Sequence, residues 1–192
     1  TITVYFTSGK TKNYIEKCNI YGIFGGNNDT RVFLSGNPEY PCRDFKSGLY
    51  DAGYFSDLDY TDIGGDNSKI VGYQKLYTNQ IIVKDGNGGS ATQYLRSYTS
   101  DENGKGIFTI SQGNDSYSAN CISSFKNIGG YPFYIGKDGL YMMYGTNVKS
   151  ETNTACKSTL INRNFTAADT ENMICIAHKN MLYCYSKNDM YI

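Results

Sequence analysis

The sequence predicts an all-β fold of antiparallel hairpins arranged as propeller-like blades, with a β-sandwich as the alternative. Three observations carry this expectation. The first is composition: 19 Tyr and 21 Gly against three Pro and no Trp in 192 residues. Tyr, Thr, Ile and Val suit pleated, half-buried surfaces, and Gly, Asn and Asp supply the positive-φ positions of tight turns. Ala and Leu are scarce, so little helix is expected. The second is a succession of hairpin signals along the chain. The third is a final hairpin that is apolar on both faces.

The elements follow in order. Thr1 to Thr7 alternates as a strand, and Ser8 to Asn13 is a polar break. Lys17 to Phe24 rises as an apolar run, Gly25 to Asn28 turns it, and Arg31 to Ser35 returns. Gly36 to Asn67 shows no sustained period, yet it holds Tyr40, Phe45, Tyr50, Tyr54, Phe55 and Tyr60. So many aromatics argue against disorder, and the segment reads as an ordered excursion pinned onto the sheet. Strands are expected at Lys69 to Leu76, Gln80 to Lys84, Ala91 to Tyr98 and Ile107 to Ser111. Further strands are expected at Cys121 to Phe125, Pro132 to Ile135 and Leu140 to Tyr144.

The last hairpin, Met173 to His178 and Met181 to Ser186, can be read residue by residue. A two-residue turn at Lys179-Asn180 places His178 opposite Met181 and Cys175 opposite Cys184. Met173, Cys175, Ala177, Leu182 and Cys184 then share one face, and Ile174, Ile176, Met181, Tyr183 and Tyr185 the other. A sheet with one wet face would alternate apolar and polar residues, so this hairpin is expected to be covered on both sides. Two-sided hairpins spaced by roughly 40 to 60 residues suggest blades stacked around an axis, about four strands to a blade.

Chemistry-bearing patterns are sparse. Lys plus Arg equals Asp plus Glu, 18 each, which leaves no electrostatic footprint for nucleic acid. No apolar run approaches the roughly 20 residues needed to span a bilayer. The six cysteines form no CxxC pair and read as buried free thiols. The single histidine, His178, flanks a turn and has no identifiable partner. Asp85-x-Asn87-x-Gly89, Asp101-x-Asn103-x-Lys105 and Asp57-x-Asp59-x-Thr61 open like calcium loops. Their twelfth positions are Arg96, Gln112 and Ser68, none of them the required bidentate carboxylate. Only Asp57, Asp59 and Asp62 stay open as a cation cluster completed from elsewhere. No catalytic, cofactor-binding or metal residue is assigned, and the chain is expected not to be an enzyme.

Certain stretches carry a resemblance. They are RVFLSGNPEYP at Arg31 to Pro41, YF-x-D-x-x-Y at Tyr54 to Tyr60 and IVGY at Ile70 to Tyr73. YLRS at Tyr94 to Ser97 and YPFYIGKDGLYMM at Tyr131 to Met143 complete the set. Together they resemble structural proteins of phages and prophages of Gram-positive bacteria. The likeness is to β-propeller tail proteins of the nozzle or head-completion type, and it covers most of the chain. One departure is Gly53, where such proteins often carry proline. Family members also begin upstream and continue past Ile192, and this chain lacks an initiator Met. The resemblance therefore implies that residues 1–16 end a preceding small β module or linker. Residues 17–192 would form an incomplete propeller-like domain.

The resemblance also implies a role: a virion tail, nozzle or head–tail connector component. It would dock portal, adaptor or tail proteins as a homo-oligomeric ring around a channel. DNA would pass through without specific binding, and no membrane would be involved. Tyr50, Tyr54, Phe55 and Tyr60 are the expected partner contacts, because aromatics anchor interfaces well. The alternative function is a host-surface or carbohydrate-binding β module of a phage or secreted protein. Its sign would be a shallow cleft of open Tyr faces beside Asn or Asp.

Overall fold

The computed structural model describes residues 9–26, 29–87, 91–145, 153–158, 170–187 and 189–192. The fold is all-β: four small antiparallel sheets arranged like a four-bladed β-propeller. The first sheet comprises β1 (Ile20–Gly26), β2 (Asp29–Ser35), β3 (Arg43–Lys46) and β4 (Tyr60–Asp62). The second comprises β5 (Ile70–Leu76), β6 (Asn79–Lys84), β7 (Gln93–Ser100) and β8 (Gly106–Gln112). The third comprises β9 (Lys126–Ile128), β10 (Tyr131–Ile135), β11 (Leu140–Met143) and β12 (Thr154–Cys156). Among the described residues the fourth has three strands, β13 (Ile174–His178), β14 (Met181–Ser186) and β15 (Asp189–Tyr191). Within every sheet each strand pairs with the next in sequence, so each sheet is a simple meander. The sandwich alternative is set aside.

The core consists of three interfaces, one between each pair of consecutive sheets. Ile20, Phe24 and Phe33 of the first sheet pack on Ile70, Tyr73, Ile82 and Tyr94 of the second. Val71, Leu76, Ile81 and Val83 on the other face of the second sheet meet Tyr134, Tyr141 and Met143 of the third. Cys121 and Ile135 then meet Met173, Cys175, Leu182 and Cys184. Each fully buried side chain of this size contributes roughly 1.5–3 kcal/mol. Gly22 permits the first approach, since a Cβ there would lie 2.9 Å from the Tyr73 side chain.

Two buried cations tie the first sheet to the second. Arg96 on β7 forms a buried ion pair with Asp44 on β3 and donates to the Gln80 side-chain carbonyl. Its guanidinium lies 3.7 Å over the Phe33 ring, and burial pulls its pKa down to about 9, still well above neutrality. Lys84, also buried, donates to the carbonyls of Ile63 and Gly65 and so pins the connection between the two sheets.

Several expectations need correction. The excursion from Gly36 to Asn67 is ordered over its length, but it contains β3 and β4 and is not a loop on the sheet. Its alternation is hidden because one inward residue of β3 is Asp44, buried by virtue of Arg96. Cys121 to Phe125 is not a strand: Ile122–Ser124 form a 3-10 turn, closed by the Ser124 hydroxyl donating to the Cys121 carbonyl at 2.7 Å. The polar break includes a short helix, α1 (Gly9–Ile15), whose Tyr14 ring stacks on Phe45 at 6.4 Å. The strand expected at Thr1 to Thr7 lies outside the described residues.

The final hairpin has the expected register. His178 pairs with Met181, Ala177 with Leu182, and Cys175 with Cys184. Lys179 and Asn180 sit at φ 47° and 60°, the doubly left-handed turn whose twist matches the strands. Its coverage differs from expectation. Met173, Cys175, Leu182 and Cys184 are buried against the third sheet, whereas Ala177, near the tip, is exposed. The opposite face, with Ile174, Ile176, Met181 and Tyr185, is open.

Two expected outcomes follow. Arg96→Met should destabilise the fold by about 3–5 kcal/mol, because it strands the Asp44 carboxylate in the core. Adding Asp44→Leu should recover much of that loss, as chemical denaturation of both variants will show.

Cys175 and Cys184 are free, with sulfurs 3.5 Å apart. The Cys121 hydrogen bond lowers the Cys175 pKa, but the bond to Cys184 and burial outweigh it and push it up to about 12. Cys121 is raised further, by its hydrogen bond to Cys175 and by burial. Cys121 and Cys175 should therefore resist alkylation in the native protein; Cys184, whose pKa the hydrogen bond from Cys175 lowers, is shielded by burial alone. All three should react fully after unfolding without reductant. Failure of Cys175 and Cys184 to react when unfolded would reveal a disulfide.

Candidate interaction site

The excursion of the first sheet gathers the sequence-predicted contact residues, but it uses them differently. Tyr50 is 81% exposed, at the tip of a tight turn bridged by Gly48 and Asp51. Phe55 is 7% exposed and belongs to the core, so it is not available to a partner. Tyr54 is half-buried and packs beside Gly48. Tyr60 on β4 is partly exposed, and one face of its ring carries the Arg43 guanidinium at 3.8 Å. The same guanidinium lies 4.5 Å from the Tyr40 ring and binds Asp62 bidentately at 2.7 and 2.9 Å. That hydrogen bond holds the Asp62 carboxyl below its usual range. Leu49 and Leu58 are exposed nearby. Sequence inspection passed over both, since isolated Leu residues in a polar stretch show no period.

The three calcium-like segments resolve into turns and ion pairs. Asp85 accepts from the Ser68 hydroxyl at 2.8 Å, from the amides of Lys69 and Asn87, and from the Asn87 side chain. Asp101 accepts from the amides of Asn103 and Lys105. Asp59 and Asp62 face Lys46 and Arg43. Among the described residues no group of three or more His, Cys, Asp or Glu side chains is disposed to hold a metal ion. His178 is exposed beside its turn.

A cleft of about 400 Å³ opens where β1, β5 and the start of the third sheet converge. Asn19, Gln74 and Gln80 line it. Its charged lining residues are Lys75 and Lys126, with no carboxylate beside them. Nothing in this lining supplies a nucleophile activated by a base.

Among the described residues, exposed apolar side chains gather on the outward faces of the end sheets. On β1, Tyr21 and Ile23 are 73% and 63% exposed and stand beside Leu34 and Val32 of β2. On the fourth sheet Ile174, Ile176, Met181, Tyr185 and Met190 form an exposed apolar face. The sequence pattern identified these fourth-sheet residues as apolar; it could not show that nothing in the described chain covers them. Among known proteins, no family model and no curated sequence matches this chain.

The outward face of the fourth sheet is testable by itself. Ile176→Lys should sharply reduce binding of a hydrophobic fluorescent dye while leaving the melting temperature nearly unchanged. An equally large loss of stability would mean that Ile176 is packed in solution.

Proposed function

We propose that this chain is a non-enzymatic structural module of a tailed-phage virion, a tail, nozzle or head–tail connector component. It works by docking other virion proteins around the path of the DNA. The observation that carries the proposal is exposed apolar surface on the outward faces of both end sheets, Tyr21 and Ile23 on the first and Ile174, Ile176, Met181, Tyr185 and Met190 on the fourth. Exposed contiguous apolar surface marks interaction sites. Both faces belong to hydrogen-bonded sheets, which suits permanent assembly. The four-sheet arrangement and the sequence resemblance to phage tail proteins support the same reading. The balanced charge suits a passage that DNA crosses without being held. Portal, adaptor or tail proteins are the partners this role requires, with identical subunits forming a ring.

The second reading is a carbohydrate- or host-surface-binding module, and the cleft beside β1 favours it. There the side chains of Asn19, Gln74 and Gln80 converge on one concavity. Clustered amides are hydrogen-bonding chemistry suited to sugar hydroxyls. The excursion argues against it, because Arg43 occupies ring faces of both Tyr40 and Tyr60.

One experiment separates the two. Antibodies raised against the chain are applied to tailed particles released by cells carrying the sequence, and the particles are imaged by electron microscopy. Label at the neck or tail axis is the expected result. Glycan-array binding that is lost in Gln74→Ala, with no label at the axis, selects the second reading.

A further inference from the structure

The outer edges of the four sheets are not alike. β4, β12 and β15 are each three residues long. β4 ends on Asp62 and β15 begins with Asp189. Short and charged edges are the usual protection against strand-to-strand association. β8 has neither protection. It runs seven residues, GIFTISQ, with no charge and no proline, and its pairing with β7 shows no bulge.

The phase of the β7–β8 ladder shows which backbone groups face outward. Asp101 N donates to Lys105 O at one end of the hairpin, and Gly113 N to Gln93 O at the other. Bonded and unbonded pairs alternate in an antiparallel ladder. Ile107, Thr109 and Ser111 therefore turn their amides and carbonyls toward β7. Gly106, Phe108, Ile110 and Gln112 turn theirs away. The first outward amide confirms the phase, since Gly106 N donates to the Asp29 carboxylate at 3.1 Å. Asp29 is itself held by Arg31 and closes that end of the edge. Beyond it, the outward groups of Phe108, Ile110 and Gln112 form a row that no backbone group among the described residues pairs with. Phe108 and Ile110 side chains sit at the rim of the first interface, and Ile107 is exposed on the other face.

We infer that β8 pairs antiparallel with β8 of a second copy, joining two second sheets into one continuous sheet. Three features favour a copy of this chain over another partner. Uncharged β8 strands bring no like charges together. The outward residues have the same parity on both copies, so Phe108 of one can bond Ile110 of the other as a two-fold pair. Antiparallel pairing also sets the β8 N-terminal end against the C-terminal end of its twin. The exposed Lys105 then approaches the exposed Asp115 of the other copy. Such an interface is isologous and closes at two copies. It rests on reading the chain as an assembly module and names one of its partners.

The test is sedimentation velocity of the purified chain over a wide concentration range, together with amide hydrogen exchange. A monomer–dimer equilibrium is expected. As the dimer forms, the amides of Phe108, Ile110 and Gln112 should gain protection, while those of Ile107, Thr109 and Ser111 are protected throughout. Thr109→Lys should weaken the dimer about tenfold or more, because two lysines then face each other near the two-fold axis. The Thr109 side chain is exposed, so the blade itself is kept, and circular dichroism checks this. Ser111→Lys gives an independent second variant. Ile176→Lys should leave the dimer intact. A monomer at every concentration overturns the inference, as does a dimer that survives Thr109→Lys and Ser111→Lys but is lost in Ile176→Lys. A monomer leaves the virion reading standing, since particle labelling tests that separately.

Discussion

Everything in this fold depends on one constraint: each sheet has two apolar faces and too few strands to bury either alone. A single sheet leaves its apolar faces in contact with water, where they contribute nothing to stability. It becomes stable only when a neighbour covers it. The second sheet meets this requirement on both sides, through Val71, Ile81 and Val83 in one direction and Ile70, Tyr73 and Ile82 in the other, and the third does so through Tyr134, Tyr141 and Met143 and through Ile135 and Leu140. The fourth sheet meets it on one side only, and the outward face of the first is covered at Phe45 by Tyr14 of α1 but open at Tyr21 and Ile23. Stability and unsatisfied surface thus have the same origin, and the uncovered faces are the cost of building from repeated units.

Within that array the first interface is the most specific. Hydrophobic contact alone would tolerate sliding of one sheet on the next, because apolar burial is non-directional. The Asp44–Arg96 pair, the Gln80 carbonyl and the Phe33 ring permit one relative position. The second interface uses a neutral counterpart. Gln93 donates to the Tyr134 hydroxyl at 2.7 Å and to the Thr154 hydroxyl at 3.1 Å. Burial drives the Tyr134 pKa upward, so that hydroxyl stays neutral. The third interface adds buried thiols to a polar bridge, in which the Ser123 hydroxyl donates to the Met173 carbonyl and accepts from the Cys175 amide at 3.1 Å. Cys121, Cys175 and Cys184 pack there as small apolar groups beside Ile135 and Leu182.

How much of this was legible in the sequence depended on how local the cause was. The final hairpin was fully legible in register, because the two-residue turn at Lys179-Asn180 sets it within a few residues. The β5 to β8 sheet was legible because its strands are long and apolar. β3 and β4 were not, since the residue that would complete the alternation is Asp44. Its burial depends on Arg96, far along the chain, and no local window contains both. The same limit explains the predicted contact residues. Tyr50 and Phe55 look equivalent in sequence, yet one caps a turn in solvent and the other fills the core. Coverage of a face is a property of the neighbour, so Ile174 and Ile176 could be recognised as apolar but not as open.

The open faces and the open edge differ in what they can specify. An apolar face fixes affinity but little orientation, because contact area is nearly indifferent to rotation in the plane. A strand edge fixes direction and register, because amides and carbonyls must meet in alternation. β8 permits shifts only in steps of two residues, and the Asp29 carboxylate on Gly106 blocks one end. A partner bound there is aligned with the sheet before any face is buried. An assembly that used both surfaces would take its geometry from the edge and most of its strength from the faces. The placement of the edge on the second sheet, which has both faces covered, keeps the two surfaces from competing for the same partner.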